Sequence, residues 1–226
     1  MLNKINILDH GFVRLVDHMG DDARIVQSAR VSYGKGTKTL REDQQLIKYL
    51  YTNKHTSPFE QVIFTFHIKL PIFVARQWIR HRTARVNEIS GRYSEYTPDF
   101  YIPDLDRIRE QDYINRQGSG KELHVDIQKR AIELISEECY RIYDKYKKLL
   151  EMGVSREVAR IILPLNIYTE WYWQMDLHNL MHFLKLRLEE KAQWEIRQYA
   201  RAILDIIKEI VPMSYDVFCK EEAIFP

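Results

Sequence analysis

The sequence contains few of the features that mark several large classes of protein. It has two cysteines in 226 residues, Cys139 and Cys219, which excludes a disulfide framework. Apolar runs long enough to cross a membrane are lacking, and the first residues do not form a secretory signal. Neither sign of charge is in excess, since the formal net charge is +2, so any affinity for anions must be local. These absences favour a cytoplasmic enzyme or binding protein over a membrane protein or a general nucleic-acid binder.

The length and the aromatic content indicate one domain that can bind a flat ligand. A chain of 226 residues is expected to form a single domain, residues 1–226, that buries roughly 70–75% of its unfolded surface. Its 14 tyrosines and 4 tryptophans can stack against planar groups. Cys139 lies near a helical apolar stripe and Cys219 has no marked partner, so both are predicted to be structural rather than nucleophilic.

The densest cluster of functional side chains is the arginine-rich segment at residues 75–93. Its charged and polar members are Arg76, Arg80, Arg82, Arg85, Arg92, Gln77, His81, Asn87, Glu88 and Ser90. Guanidinium groups bind phosphate bidentately, and each charged hydrogen bond contributes roughly 1.5–3 kcal/mol. The segment therefore predicts a polyanion site, and the alternative is a solvated basic helix face.

The local pattern predicts how this segment is presented. Pro71 suits a helix start and no breaker follows, so a helix is predicted over residues 72–82. At about 100° per residue, Arg80, His81 and Arg82 would then point in different directions and contact different groups. Because Ser90 and Gly91 form a breaker pair, residues 87–92 are predicted to be a loop that presents Glu88, Ser90 and Arg92.

Periodicity and caps give the other predicted elements. The strand-like segments are residues 5–18, 62–70 and 166–175. Five helical segments are predicted at residues 22–30, 40–51, 155–163, 177–190 and 191–211. Two more are predicted from capping-box patterns. One begins at Ser57, Pro58 and Glu60, and the other runs from Ser119 and Glu122 to residue 152. Residues 32–37 are predicted to be a plain loop, and residues 96–118 a surface excursion.

The helix predicted after Asp176 carries two stripes of opposite direction. His178 and His182 are one turn apart, which is the spacing of helical metal ligands, but no third ligand is marked, so no metal site is predicted. A solvated face or contact with a polar cofactor remains open for this stripe. Arg187 lies about 180° from His178 and beside the core face, where a charge needs a partner or a ligand.

Several blocks of the sequence resemble one family. Arg80, His81 and Arg82 followed by seven residues and Ser90 match the signature of the flavin-dependent thymidylate synthases, which are unrelated to the cysteine-nucleophile synthases. Further similar blocks lie at residues 29–32, 57–60, 64–67, 159–166, 183–187 and 192–195. The resemblance implies an α+β fold with a single domain and a central, mostly antiparallel twisted sheet flanked by long helices.

The resemblance also implies a reaction and a set of site residues. The family methylates dUMP to dTMP with 5,10-methylenetetrahydrofolate as carbon donor, FADH2 as hydride donor and NADPH to reload the flavin. Arg187 would be the catalytic residue, stabilising the deprotonated or enolate uracil. By position, the dUMP contacts would be Gln77, Arg80, Glu88, Ile89, Ser90, Gly91, Arg92, Arg160 and Arg187. The FAD contacts would be Ser57, Arg80, His81, Arg82, Glu88, Asp176, His178 and His182. Some relatives have Asn and Arg where this chain has Asp176 and His178, and Thr is common at Ser57.

The family is homotetrameric and shares each active site between subunits. The opposite directions of His178 and Arg187 agree with this arrangement, because one chain cannot easily bring both to one ligand. Two other classes of function stay open from the residues alone: a nucleotide- or RNA-binding module built on the basic helix, and a metal-dependent hydrolase built on His178 and His182. A flavin absorbance spectrum would favour the synthase, and bound zinc would favour the hydrolase. RNA binding that depends strongly on salt would favour the binding module.

Overall fold

A computed structural model describes residues 4–31, 39–113 and 118–224 of the chain. The predicted loop at residues 32–37 lies outside the described residues. The described residues include no helix that is long and apolar enough to span a membrane.

An antiparallel sheet forms the centre of the described chain. The strands are β1 (Lys4–Ile7), β2 (Gly11–Met19), β3 (Ile63–Pro71), β4 (Arg85–Glu88), β5 (Arg109–Gln111), β6 (Ser119–Glu122) and β7 (Tyr168–Asp176). Strands β1, β2, β3, β7 and β4 form one sheet in that order, and each neighbouring pair is antiparallel. Strands β5 and β6 pair separately.

Helices surround this sheet, so the expected α+β class with an antiparallel central sheet is confirmed. They are α1 (Asp22–Ala29), α2 (Leu40–Thr52), α3 (Ile72–Trp78), α4 (Val125–Glu151), α5 (Arg156–Ala159), α6 (Leu177–Leu188), α7 (Trp194–Lys208) and α8 (Pro212–Glu221). The main hydrophobic core takes buried residues from Ile7 near one end of the chain to Cys219 near the other, so both ends belong to one core.

The alternation of β3 determines which face of the sheet is covered. Val62, Phe64, Phe66 and Ile68 are fully buried, as the period of two predicts. Burying a large apolar side chain contributes about 1.5–3 kcal/mol. The same core includes the apolar residues of α6 and α7, so it fixes the position of α6 against the sheet.

The N-terminal segment differs from its prediction. Residues 5–18 were expected to form one strand, but β1 and β2 form a hairpin whose turn includes Leu8, at a φ of 57°. The alternating pattern runs through both strands, so the pattern alone does not reveal the turn. The helix predicted at residues 22–30, in contrast, is confirmed as α1, and the Asp21 carboxylate caps it by accepting from the backbone N–H of Arg24.

Both predicted capping boxes are wrong. After Ser57 there is one 3-10 turn, Phe59–Gln61, without a side-chain cap. The Glu60 carboxylate accepts a hydrogen bond from the Thr56 hydroxyl and not from the backbone of Ser57, as a capping box requires. Residues Ser119–Glu122 form β6, and α4 begins at Val125 after His124, whose ring accepts from the N–H of Asp126. The predicted end of α4 is confirmed, because Gly153 follows it at a φ of +85°.

Two more predictions need correction. The excursion at residues 96–118 is not all on the surface, since Phe100 and Tyr101 are buried. The predicted helix at residues 191–211 is not the last one, because Pro212 begins α8 and occupies its first turn, where its missing N–H costs nothing. The buried Asp22 carboxylate accepts from the backbone N–H groups of Met213 and Ser214, so α8 is capped from a distant part of the sequence.

Candidate active site

The arginine-rich segment leaves α3 earlier than predicted. The helix ends at Trp78, and the N–H of His81 bonds to the Trp78 carbonyl at 3.0 Å, so Arg80, His81 and Arg82 lie in a turn and not on a helix. Trp78 is fully buried, with ring centroids 4.7 Å from Phe183 and 5.3 Å from Trp173. The buried Trp78 ring fixes the start of the turn, so the polar residues Arg80, His81 and Arg82 follow outside the core.

Three guanidinium groups converge on one open pocket. Arg76, Arg80 and Arg82, with Ile79, line a depression of about 500 Å³. Among the described residues, no carboxylate forms an ion pair with these three arginines. An unneutralised group of forks favours a phosphate or another anion, in line with the predicted polyanion site.

Arg187 reaches the end of the same turn. Its Nε donates to His81 Nε2 at 3.0 Å, and its Nη2 donates to the Gln77 carbonyl at 3.3 Å. The Gln77 side chain in turn donates to the side chain of Gln193. Gln77, His81 and Arg187 therefore form one connected group, which joins a predicted flavin contact to the predicted catalytic residue.

The electrostatics of His81 follow from its neighbours. Burial, the charge of Arg187 and the nearby His182 together lower the pKa of His81 to about 4. Its ring also packs edge-on against Phe183, with centroids 4.9 Å apart. At neutral pH the ring is therefore uncharged, as an acceptor facing an arginine N–H has to be.

Glu88 is presented by a strand and not by the predicted loop. Strand β4 pairs with β7 at the edge of the sheet, with Glu88 opposite Trp171. The buried Thr169 donates its hydroxyl hydrogen to Glu88 Oε1 at 2.7 Å. The predicted loop therefore begins at Ile89, whose N–H still bonds to the Glu170 carbonyl at 2.9 Å.

Ser90, Gly91 and Arg92 follow in a turn packed on Tyr96. A Cβ at Gly91 would lie 2.3 Å from Cε2 of Tyr96, so there is no room for a side chain. Burial and the Glu88 carboxylate raise the pKa of Tyr96, and the nearby Arg160 guanidinium opposes this shift. Ser90 Oγ accepts from the N–H of Arg92 at 3.3 Å. Tyr96 thus joins Glu88, Gly91 and Arg160 into a second group.

The predicted flavin contacts of α6 face a different cavity. His178 and His182 line a space of about 410 Å³ together with His55 and Thr56, the residues just before Ser57. Ser57 itself is exposed beside it. Asp176 caps α6 by accepting from the backbone N–H of Asn179 at 2.9 Å, so its carboxylate already has a structural role. His182 is also 6.3 Å from His81 between ring centroids, which connects this cavity to the arginine turn.

The predicted dUMP contacts thus fall into two groups within one chain. The first contains Gln77, Arg80 and Arg187, and the second contains Glu88, Ile89, Ser90, Gly91, Arg92 and Arg160. No hydrogen bond or ion pair between the described residues links a member of the first group to one of the second. The described residues also contain no group of three potential metal ligands, so His178 and His182 have no third ligand here.

Three supporting residues were missed from the sequence. Thr169 and Tyr96 carry no motif, and their roles depend on the register of β7 against β4 and on the packing of the turn after β4. Gln193 lies within one of the blocks that carry the family resemblance, at residues 192–195, and this block was a usable signal for a residue near the site.

Comparisons with known proteins identify the family of this chain. The family model described as thymidylate synthase complementing protein matches residues 14–213. A flavin-dependent thymidylate synthase of Treponema denticola is 58% identical over 98% of this chain and 84% of its own length. One from Thermus thermophilus is 60% identical over 95% of this chain and 77% of its own length.

Solved structures give the same result. A UMP/dUMP methylase, PolB from Streptomyces cacaoi, bound with 5-Br dUMP, is 30% identical, with a TM-score of 0.85 over 96% of this chain and 97% of that one. Its structure bound with 5-Br UMP gives a TM-score of 0.87 over 98% and 99% of the two chains. With the Arg-His-Arg turn, the second group around Glu88 and close relatives along nearly its whole length, this chain belongs to the family of flavin-dependent thymidylate synthases.

Proposed function

We propose that this enzyme methylates dUMP to dTMP, with 5,10-methylenetetrahydrofolate as carbon donor and NADPH as the source of reducing equivalents. The observation that carries the proposal is the contact of Arg187 with His81 and Gln77 beside the pocket of Arg76, Arg80 and Arg82, which form no ion pair with the described carboxylates. A charged group held next to an anion pocket suits a nucleotide whose base must accept negative charge during the reaction.

The two groups of site residues divide the work of holding dUMP. We assign the phosphate to Ser90 and Arg92 with Arg160, and the uracil to Arg187 and Gln77. The full set of proposed dUMP contacts is Gln77, Arg80, Glu88, Ile89, Ser90, Gly91, Arg92, Arg160 and Arg187. Arg92 is exposed, and its ion-pair partner among the described residues is the exposed Glu157 at 3.2 Å. Because exposed ion pairs contribute little, a phosphate can replace Glu157 at small cost.

The flavin is assigned to the arginine turn and the cavity beside α6. Its proposed contacts are Ser57, Arg80, His81, Arg82, Glu88, Asp176, His178 and His182. Reduced FAD, when bound, supplies the hydride. Arg80 and Arg82 have charges available for its phosphates, and the cavity at His178 and His182 has both apolar and polar walls.

Arg187 is proposed as the catalytic residue. Its guanidinium stabilises the negative charge that develops on the uracil when N3 is deprotonated or the ring becomes an enolate. Burial lowers the pKa of Arg187, yet its N–H groups still point at neutral acceptors, so the group stays cationic. A charge kept in place before the reaction does not have to reorganise during it.

The proposal includes no enzyme nucleophile. Cys139 is buried beside Phe100 and Ile167, and Cys219 lies in α8, both outside the two groups of site residues. Burial raises the pKa of both thiols, which disfavours the reactive thiolate. Both thiols are free, which suits the reducing conditions of the cytoplasm, where we place the enzyme.

The separation of the two groups supports a homotetramer with shared active sites. If one chain supplies Arg187 and its neighbour supplies Glu88 and Arg160, a single dUMP can contact both groups. Helix α4 also leaves Ile127 and Leu134 about half exposed, at 54% and 46%, which favours further packing between subunits.

Coupled turnover tests the proposed function. The purified enzyme, supplied with FAD, dUMP, 5,10-methylenetetrahydrofolate and NADPH, is expected to form dTMP in step with NADPH oxidation. Omitting either dUMP or the folate should abolish dTMP formation. NADPH oxidation without any dTMP in the complete mixture would contradict the proposal.

A further inference from the structure

The bond between His81 and Arg187 determines the protonation of His81. An arginine Nε carries a hydrogen and can only donate. Nε2 of His81, 3.0 Å away, must therefore be the acceptor, and the ring proton must be on Nδ1. A neutral ring of one tautomer is the state that this contact requires.

Every neighbour of His81 favours the same state. Helix α6 brings Arg187, His182 and Phe183 against the ring, and the turn itself supplies Arg80 and Arg82 on either side in sequence. All of these groups are cationic or neutral. No carboxylate among the described residues pairs with His81 to stabilise an imidazolium.

The partner chosen for Arg187 has a chemical consequence. A carboxylate would hold the guanidinium equally well but would cancel most of its charge. A neutral imidazole and the Gln77 carbonyl orient the guanidinium and leave its net charge intact. A full positive charge in a fixed direction is what stabilises a developing oxyanion.

We propose that His81 is a positioning residue for Arg187: its neutral Nε2 holds the guanidinium in place without neutralising it, so the charge remains available to the pyrimidine. This inference rests on the proposed function, because it takes Arg187 as the group that faces the uracil. It adds to the expected flavin contact of His81 a second role that acts through Arg187.

An isosteric pair of variants isolates the charge of the partner. His81→Gln keeps a neutral oxygen acceptor near the position of Nε2, whereas His81→Glu places an anion there. His81→Asn is too short to reach Arg187 and serves as the variant without a holding contact. All three are compared with the wild type at saturating FAD, with the bound flavin measured from its absorbance.

We expect the kcat values of the three variants to depend on the charge of the new side chain and on whether it is long enough to contact Arg187. His81→Gln should have a kcat roughly 10²-fold higher than those of His81→Glu and His81→Asn, which is the typical effect of one charge-stabilising donor. Equal kcat values for His81→Gln and His81→Glu at equal flavin content would overturn the proposal.

A double-mutant cycle separates action through Arg187 from action through the flavin. In an Arg187→Ala background at saturating FAD, His81→Asn should cause no further loss of dUMP affinity. Independent, multiplying losses would overturn the positioning role. If Arg187→Ala alone keeps full turnover, the proposed function of Arg187 fails instead, and the two failures are thereby distinguished.

The wild-type protein provides a test that needs no variant to fold. With 15N-labelled histidine, the His81 resonances are expected to show a protonated Nδ1 and an unprotonated Nε2 at pH 7, assigned by their absence in His81→Gln. A doubly protonated ring at pH 7 would overturn the inference.

Discussion

The buried hydroxyl of Thr169 donates a 2.7 Å hydrogen bond to Oε1 of the exposed Glu88, so a residue of the sheet interior orients a side chain at the sheet edge. We predict that Thr169→Val, which keeps the shape of the side chain, raises KM for dUMP by about tenfold, since a hydrogen bond to a charged group contributes about 1.5–3 kcal/mol. Steady-state kinetics with varied dUMP measure this effect.

Thr65→Val is the matched control for Thr169→Val. Thr65 lies on β3 and accepts a 3.1 Å hydrogen bond from the Gln174 side chain, away from the proposed dUMP contacts. The KM of the Thr65→Val variant for dUMP should equal that of the wild type. A similar rise in KM for both variants would show that the effect comes from general disturbance of the sheet and not from Glu88.

Gly91→Ala tests the packing of the second group. The added Cβ would lie 2.3 Å from Cε2 of Tyr96, so the turn or the ring has to move. Overpacking of this kind costs about 1–3 kcal/mol, and here it should appear mainly as weaker dUMP binding. Combining Gly91→Ala with Tyr96→Leu should recover part of the affinity in calorimetric titrations. If the double variant binds no better than Gly91→Ala alone, the clash with Tyr96 is not the cause.

The prediction of the fold from the sequence succeeded where periodicity was long and failed at chain reversals. The alternation of Val62, Phe64, Phe66 and Ile68 identified β3, because period two is a direct consequence of one buried face. The last helix, in contrast, was placed at residues 191–211 from the sequence, and α8, which Pro212 begins, was missed. A proline fits both positions, and the deciding contact comes from Asp22, almost the whole chain away.

The candidate site residues come from the family resemblance, and their connections come from the structure. The family resemblance supplied Arg187, His81 and Glu88 by position. Spacing along one helix placed Arg187 opposite His178, yet it does not reveal that Arg187 bonds to His81 at the end of α3. Such contacts depend on the packing of α6 against α3 and on the register of β4 against β7, which local sequence does not encode.

The cysteines provide a test of the mechanism. We expect Cys139→Ala and Cys219→Ala, singly and together, to keep kcat within about twofold, because burial raises the pKa of both thiols and keeps them unreactive. Arg187→Ala, with FAD still bound, should lose turnover. Single-turnover formation of dTMP measures both. A folded, flavin-bound double cysteine variant without turnover would mean that a thiol takes part.

Mixing two inactive variants tests whether subunits share active sites. Arg187→Ala damages the first group of dUMP contacts and Arg160→Ala the second. If each site takes one group from each of two subunits, oligomers reassembled from an equal mixture should have about one quarter of their sites intact. The mixture should therefore regain activity that neither parent has, after a cycle of dissociation and reassembly.

Two controls accompany the mixing experiment. Arg187→Ala mixed with Arg187→Lys should regain nothing, since both lesions are in the same group. Light scattering must show that the parents and the mixture have the same mass. A mixture of Arg187→Ala and Arg160→Ala that remains inactive, or a fully active wild-type monomer, would contradict the shared site.

His81 should make the stability of the protein depend on pH between about 6.5 and 4. Its pKa is about 4 in the folded protein against the ordinary value of 6.5, so between these pH values the unfolded chain binds more protons. The contribution of His81 to stability is therefore fully present above pH 6.5 and is lost progressively as the pH falls towards 4.

His81→Gln removes this proton uptake, so its melting temperature should fall less than that of the wild type from pH 7 to pH 5. Melting is measured at one protein concentration, because subunit assembly also changes the melting temperature. His124→Gln, whose side chain is 71% exposed in the wild type, should follow the wild-type curve. Equal slopes for His81→Gln and the wild type would mean that His81 is not held neutral by Arg187 and its burial.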